Sequence, residues 1–153
     1  MADPTFTLTI DRSQLGLADL VLDGSKGGTS PLGLTGWTEP AMRAAVDYAP
    51  DDMFTHGSRP LGWRWQQTML NFDVAPFGAV SEAAARLLHS ELVAAVTQWR
   101  FALHLDADGA ARETWICDPG SVEPQGGRTV ADIVNHNPGW SCSIPADPVR
   151  SVA

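Results

Sequence analysis

Alternation of apolar and polar positions in short segments is the main pattern of this chain. Near the N-terminus Phe6, Leu8 and Ile10 alternate with threonines, which is typical of a half-buried strand. Similar short runs recur along the chain and are broken by Gly and Pro, which end strands and form turns. The pattern predicts further strands over residues 19–23, 32–39, 62–75, 99–106, 111–117 and 140–144. We therefore expect a mainly β domain.

One α-helix is predicted, over residues 81–99. Ser81 is a suitable N-cap, and Glu82 suits the positive end of the helix dipole. Glu82 and Arg86 are spaced to form an i,i+4 ion pair on the outer face of the helix. The opposite stripe is apolar and consists of Ala84, Leu88, Leu92, Ala95, Val96 and Trp99. This stripe predicts that the helix packs against the sheet.

The predicted strand at residues 62–75 carries two sets of large apolar side chains. Trp63, Trp65 and Met69 have one parity, and Leu70, Phe72 and Val74 have the other. Because side chains of a strand alternate between its two faces, the parity switch near residues 68–70 predicts either a bulge or a crossing of the strand between two sheets.

Residues 40–60 form the least regular part of the sequence. They contain Pro40, Pro50 and Pro60, and only residues 41–46 could form a turn of helix. Long ordered loops are uncommon in a compact domain unless they have a function, so we interpret this segment as an arm that leaves the sheet. Its large apolar residues are Tyr48, Met53 and Phe54. We expect them to contact a neighbouring subunit if they are exposed, and the alternative is that they pack on their own domain.

The chain contains six tryptophans, each of which needs burial and a hydrogen-bond partner for its indole N–H. Those expected in the core, because they lie among alternating apolar residues, are Trp99, Trp115 and Trp140. Trp63 and Trp65 flank Arg64. We expect these two either in the core on one face of their strand or, together with Arg59 and Arg64, as the anchor of an interface.

Length and charge limit the possible classes of function. A chain of 153 residues is expected to form one domain, which can bury a core without disulfides or metals. The formal net charge of -8 makes it a poor candidate for binding DNA, RNA or an anionic membrane surface. The same charge suits a protein past which DNA slides without binding. Neither a signal peptide nor an apolar run of about 18 residues is visible, so we expect a soluble protein made in the cytosol.

No group of residues in the sequence predicts catalysis or metal binding. The four histidines lack the spacing of metal ligands, and no serine lies in a nucleophile-elbow motif. The segment 106–109 is expected to form a hairpin turn rather than a calcium loop, because a cysteine stands at the twelfth position. Cys117 and Cys142 match no zinc pattern, and we expect buried thiols, with a disulfide as the alternative. We therefore predict that the chain is not an enzyme and binds no cofactor or metal.

The order of elements in the second half of the chain carries a resemblance to a known family. A tryptophan-rich strand WRWQQTMLNFDV is followed by the helix SEAAARLLHSELVAAVTQW, the hairpin RFALHLDADGAARETWIC, then CDPGSV and WSCSIPADPVR. This order, over about residues 57–149, resembles the distal tail or minor tail proteins of long-tailed bacteriophages of actinobacteria. The resemblance implies a mainly β fold, a two-sheet β-sandwich with one flanking helix that is related to the phage tail-tube fold, and no catalytic residues.

The resemblance also implies a function. In such proteins this domain forms a six-membered ring between the tail tube and the tail tip, and DNA passes through the ring without specific binding. The partners would be further copies of the chain, the tail-tube protein and the tail-tip or hub protein, within the virion tail. The arm at residues 40–60 would embrace the neighbouring subunit. A second hypothesis is a tail-tube or tail-terminator subunit, and a third is a β-sandwich module that binds a sugar or peptide through Trp63 and Trp65.

Overall fold

The structure is a computed structural model that describes residues 5–24, 30–41, 44–50, 58–77, 81–125, 139–148 and 151–152. The strands in these ranges are β1 (Phe6–Ile10), β2 (Leu20–Asp23), β3 (Leu32–Thr38), β4 (Ala44–Pro50), β5 (Ser58–Trp65), β6 (Thr68–Pro76), β7 (Phe101–Ala107), β8 (Glu113–Cys117), β9 (Ser121–Pro124), β10 (Trp140–Ala146) and β11 (Ser151–Val152). The helices are α1 (Glu82–Val96) and a short 3-10 turn (Ser13–Leu15). The prediction of a mainly β chain with one α-helix is confirmed.

The main sheet closes on itself. Its strand order is β11-β8-β7-β1-β2-β3-β6-β10-β9, and β10 also pairs with β8 through Ala146 and Cys117. In the described part of the chain, β8, β7, β1, β2, β3, β6 and β10 therefore form a closed barrel of seven strands. We call the contact between β8 and β10 the seam. The two-sheet sandwich is not confirmed, because the sheet is continuous around the barrel.

Strand pairing is antiparallel around the barrel except at one place. β2 and β3 run parallel and pair at two positions, Leu22 with Leu32 and Asp23 with Gly33. All other neighbouring strands of the described sheet are antiparallel. Most neighbours in the barrel are distant in sequence, so the fold depends on non-local contacts.

Alternation along the barrel strands separates an inner from an outer face. In β7 and β10 buried side chains alternate with partly exposed ones. The inner side chains form one apolar cluster, in which Leu8, Leu103 and Ile144 are fully buried. Trp115 and Trp140 belong to this cluster and are 0% and 6% exposed, which confirms that they lie in the core.

α1 packs its apolar stripe on the barrel core. Ser81 Oγ accepts a hydrogen bond from the N–H of Ala84 at 3.1 Å, and Glu82 pairs with Arg86 at 3.1 Å, which confirms the predicted start of the helix. The fully buried positions of the helix are Ala85, Leu92, Ala95 and Val96. Within the described ranges no helix combines the length and the apolar character that crossing a membrane requires.

The helix ends earlier than the sequence predicts. After its last turn, Gln98 takes the inward position and its Nε2 donates to the carbonyls of Asp11 at 3.0 Å and Ala95 at 2.7 Å. A buried polar side chain needs such partners. Trp99 therefore lies beyond the helix and is 73% exposed, so the prediction that it belongs to the core is wrong. Arg100 follows with a φ of 49°, which turns the chain towards β7.

Strand pairing corrects two further predictions. The segment 62–75 is not one strand, because β5 ends at Trp65, β6 begins at Thr68 and the two belong to different sheets. Of the two predicted alternatives, a bulge or a crossing between sheets, the parity switch thus reflects the crossing. The strand is interrupted there, between Trp65 and Thr68. Of the segment 41–46, for which the sequence allows a turn of helix, residues 44–46 belong instead to β4, which pairs with β5.

Both cysteines lie on the inner face of the barrel. Cys117 on β8 is 0% exposed, Cys142 on β10 is 2% exposed, and both thiols are free. The structure thus has the buried thiols and not the disulfide. Burial disfavours the charged thiolate and raises the pKa of each cysteine from the ordinary value of 9.0 to about 12.

Truncation of the buried and of the exposed tryptophan should have different effects on stability. Trp115→Ala removes a fully buried indole and leaves a cavity, so we expect a loss of about 3–5 kcal/mol in the free energy of unfolding. Trp99→Ala removes a side chain that is 73% exposed, and we expect a change of about 0.5 kcal/mol or less. Urea denaturation of both variants measures the difference, and equal losses would contradict the two placements.

Thiol reactivity and alkaline stability should both report the burial of the cysteines. At pH 8 we expect a thiol reagent to modify the folded chain far more slowly than the urea-unfolded chain, because the thiolate is the reactive form.

The raised pKa of the two thiols also makes the free energy of unfolding depend on pH. Their contribution to this free energy is fully present below pH 9 and is lost as the pH rises from the unfolded pKa of 9.0 towards the folded pKa of about 12. A variant with Cys117→Ala and Cys142→Ala is the control and should lack this part of the alkaline loss. Rapid modification of the folded chain would refute the placement.

Candidate subunit interface

A hairpin is inserted between two neighbouring strands of the barrel. β3 and β6 pair with each other as far as Thr38 and Asn71. The residues between them, 39–67, contain β4 and β5, which form a separate two-stranded sheet. We call residues 39–67 the arm. β4 and β5 contact each other and make no extensive contact with any other described strand, so the described strands of the arm form a sheet of their own beside the barrel sheet.

The pairing of the two arm strands leaves backbone edges unused. β4 and β5 are antiparallel along their length, with a shift in register between Asp47 and Tyr48, opposite Pro60. A proline has no N–H to donate to a neighbouring strand and is tolerated at such an irregularity. In a two-stranded sheet each strand uses only one of its edges, so the outer edges of β4 and β5 can accept further strands.

Four of the six predicted interface residues lie in this hairpin. The backbone register pairs Tyr48 with Pro60, Arg59 with Ala49, Trp63 with Val46 and Trp65 with Ala44. The other two predicted residues, Met53 and Phe54, lie outside the described residues. The structure thus brings the four residues together in a sheet that is separate from the barrel sheet.

Two side-chain hydrogen bonds hold the base of the arm. Thr68 Oγ1 donates to the carbonyl of Ala41 at 2.9 Å and so joins the segments that enter and leave the arm. Gln67 Nε2 donates to Asp118 Oδ2 at 2.9 Å. Asp118 directly follows β8, so this second bond attaches the base of the arm to the barrel beside the seam.

Arg100 links the segments that meet at the seam. Its Nη1 donates to Asp118 Oδ1 at 3.0 Å and to Asp147 Oδ1 at 3.1 Å, and its Nη2 donates to Asp147 Oδ2 at 2.9 Å. The hydrogen bonds that Arg100 donates to Asp147 and Asp118 raise the pKa of Arg100, so the guanidinium remains charged. We call these three residues the Arg100 clamp. Since Asp118 follows β8 and Asp147 follows β10, the clamp spans the seam on the outer surface.

An open groove of about 410 Å³ lies on the outer face of β3, β6, β10 and β9. We call it the outer groove. Apart from Phe72 and Cys142, whose side chains are buried in the core, the lining residues are small, polar or acidic, and they include Thr38, Asn71, Asp73, Glu123, Ser141 and Ser143. Ser141 Oγ donates to Asp73 Oδ1, and Ser143 Oγ donates to Asn71 Oδ1, both at 2.8 Å. Of the described residues that line the groove, none is basic.

A second pocket, of about 350 Å³, lies between α1 and strands β9 and β10. Its wall is mainly apolar and contains the rings of His89 and Trp140, whose centroids are 5.1 Å apart. Across the described part of the chain, no three residues among His, Cys, Asp and Glu are arranged to hold a metal ion.

Sequence reasoning identified neither the Arg100 clamp nor the outer groove. The clamp has no local signal, because Arg100 and Asp118 meet only where β7 pairs with β8. The groove had a weak signal, since Ser141 and Ser143 alternate with buried apolar residues along β10 and therefore face outwards.

Comparison with known proteins shows a shared fold. No protein-family model and no curated protein matches the sequence. A solved structure of the phage P2 baseplate in its activated conformation with Ca matches with a TM-score of 0.52 and 13% identity, over 96% of this chain and 44% of that chain. A second, of the phage p2 baseplate in its activated conformation with Sr, matches with a TM-score of 0.53 and 14% identity, over 94% and 43% of the two chains. The chain thus spans less than half the length of the baseplate chains that it matches.

Removal of the Arg100 clamp should loosen the arm. Arg100→Met removes all three hydrogen bonds to Asp118 and Asp147, so that Asp118 no longer holds Gln67 in a fixed position. We expect hydrogen–deuterium exchange of the β4 and β5 amides to become about two- to five-fold faster.

The matched control for this variant is Arg112→Met. It removes two hydrogen bonds of 2.8 Å from Arg112 to Asp106, which lie in the hairpin of β7 and β8. The side chains of this pair are about as exposed as those of Arg100 and Asp118. This variant should leave exchange in the arm unchanged. Equal effects of the two substitutions on the arm would contradict a specific role of the clamp.

Proposed function

We propose that the chain is a structural subunit of a bacteriophage tail, at the level of the baseplate, and that it is not an enzyme. The observation that carries this proposal is the fold that 96% of the chain shares with a phage baseplate chain. The arm adds support, because a hairpin that extends from a closed barrel is suited to contacts between subunits.

The proposed mechanism is assembly into a closed ring, with six subunits as the proposed number. The arm of one subunit reaches the next subunit, and each subunit uses one surface to give and another to receive. Such a head-to-tail contact closes into a ring when its rotation matches the symmetry. The proposed interface residues of the arm are Tyr48, Met53, Phe54, Arg59, Trp63 and Trp65. The aromatic residues and the arginine among them are typical of interface anchors.

The proposed position of the ring is between the tail tube and the tail tip or hub, around the path of the DNA in the virion tail. The formal net charge of -8 supports this position. An acidic ring repels phosphates, so that DNA passes without being bound. The partners are then the tail-tube protein on one side and the hub protein on the other.

The solution mass of the purified chain tests the ring. We expect light scattering across a range of concentrations to find a species of about six chains of 16.4 kDa each, and negative-stain images to show single closed rings. Long tubes would instead indicate a tail-tube subunit. A monomer at every concentration, with tryptophan fluorescence that shifts on addition of glycans, would indicate a binding module and would contradict the ring.

Replacement of the arm tests its part in assembly. A variant in which an Asn-Gly turn replaces residues 42–65 retains Ala41 and its hydrogen bond from Thr68. We expect this variant to keep the circular dichroism and cooperative unfolding of the barrel and to lose the ring completely. A ring that forms as well as that of the unaltered chain would show that the arm is not the interface.

A further inference from the structure

We propose that the outer groove binds strand β5 of a neighbouring copy's arm. This inference rests on the proposed ring function and names the surface that receives the arm. It is argued from the charges that line the groove, from the composition of β5 and from the unused backbone edges of β5 and β9.

The outer groove carries negative charge that no described basic side chain neutralises. Asp73 accepts a hydrogen bond from the uncharged hydroxyl of Ser141, and Glu123 is exposed beside it on the edge strand β9. The described arginine side chains of the barrel are occupied elsewhere: Arg12 by the carbonyl of Ala18, Arg86 by Glu82, Arg100 by the clamp and Arg112 by Asp106. Within the described part of the chain these two carboxylates thus have no basic partner, and a neighbouring copy can supply one.

The strand that can supply positive charge is β5. Its sequence, SRPLGWRW, contains Arg59 and Arg64 and no acidic residue. It also contains Trp63 and Trp65, whose large surfaces favour burial at an interface. β4 carries Asp47 and no basic residue, so the two arm strands differ in sign. The complement to the groove is therefore β5 rather than the arm as a whole.

Backbone pairing can add to the attraction between charges. β9 forms one edge of the groove and pairs with β10 only, so its other edge has no strand partner in the described chain. β5 pairs with β4 only, and its outer edge is likewise unused. Two such edges can join by strand addition next to Glu123, where main-chain hydrogen bonds supply affinity. Asp73 lies two strands further in, so it acts on β5 through the negative charge of the groove rather than by direct contact. β9 has four residues, so the charged pairs must contribute to the register.

The strand that enters the groove belongs to a second copy. Thr38 and Asn71 line both the groove and the cavity at the base of the arm, so the arm starts beside its own groove. β4 and β5 nevertheless make no extensive contact with β3, β6, β9 or β10 of the same chain. A return to the chain's own groove would require the arm to reverse at its base, which the bonds from Thr68 and Gln67 hold in place. A neighbouring copy can present β5 without such a reversal.

Charge reversal in the full-length chain tests the proposal. The reversed-groove variant carries Asp73→Lys and Glu123→Lys. The reversed-strand variant carries Arg59→Glu and Arg64→Glu, and the fourfold variant carries all four substitutions. Each of the two double variants alone opposes like charges across the contact, so we expect the concentration needed for half-assembly to rise by at least about ten-fold. The chain that carries all four substitutions should assemble again. A mixture of the two double variants should assemble again, into rings in which the two variants alternate. The reversed groove receives the reversed strand, the native groove of the other variant receives the native strand, and only contacts between like variants are repulsive.

Matched controls separate charge and folding from docking. A variant with Glu91→Lys and Asp108→Lys changes the net charge by the same amount as the variant with Asp73→Lys and Glu123→Lys, but at exposed positions outside the groove. It should leave assembly unchanged. Asp73→Asn with Glu123→Gln preserves the shape of the groove and should weaken assembly by about three- to ten-fold. Circular dichroism and unfolding curves check that each variant is folded.

The outcomes distinguish this inference from the proposed function. Normal assembly of the reversed-groove variant, together with loss of assembly on replacement of the arm, would overturn the groove as the receiving surface and leave the ring function standing. Failure of the fourfold variant to assemble would also overturn it, since β5 would then not be the occupant. Normal assembly of both the variant with Asp73→Lys and Glu123→Lys and the arm-replacement variant would show that the arm is not the interface at all. Absence of a closed ring from the unaltered chain would instead contradict the proposed function itself.

Discussion

The closure of the barrel at the seam is the constraint on which the rest of the structure depends. Within the described residues, β8 and β10 pair at one position, Ala146 with Cys117. Two flanking main-chain hydrogen bonds of 2.8 and 2.9 Å extend this contact. The apolar core lies inside the seam and the Arg100 clamp lies outside it. Exposed ion pairs add little to stability, so the clamp matters more for the position of the segments that it joins, including Gln67 at the base of the arm.

Closure of the barrel also limits the places where another chain can bind by strand pairing. Strands inside the barrel have neighbours on both sides, and such strands offer no edge for further pairing. In the described structure the strands with an unused edge are those of the arm and the two flanking strands β9 and β11. Closure therefore protects most of the sheet from non-specific association and confines strand addition to a few short edges, two of which have complementary charge around them.

Elements with a local physical cause could be predicted from the sequence, and contacts between distant segments could not. The N-cap of Ser81 and the turn before Gly109, whose φ is 72°, follow from the chemistry of single residues. The prolines predict an irregular segment only over residues 40–60, and the pattern assigns residues 62–65 of β5 to one strand with β6. The pairing of β5 with β4 is a contact between separate segments and has no local signal. Trp99 was misplaced because the helical stripe continues in the sequence beyond the point where Gln98 turns inwards.

The separation between core and surface explains how this fold is shared at 13% identity. A barrel core requires alternation and a suitable apolar volume, and many sequences meet these conditions. A ring built from head-to-tail contacts requires something more specific, since every subunit must carry two different surfaces that fit each other. In this chain the outer groove carries two carboxylates that no described basic side chain neutralises, and β5 carries two arginines. Opposite sign on two surfaces of one chain is the complementarity that the proposed head-to-tail contact requires, and the barrel core does not supply it.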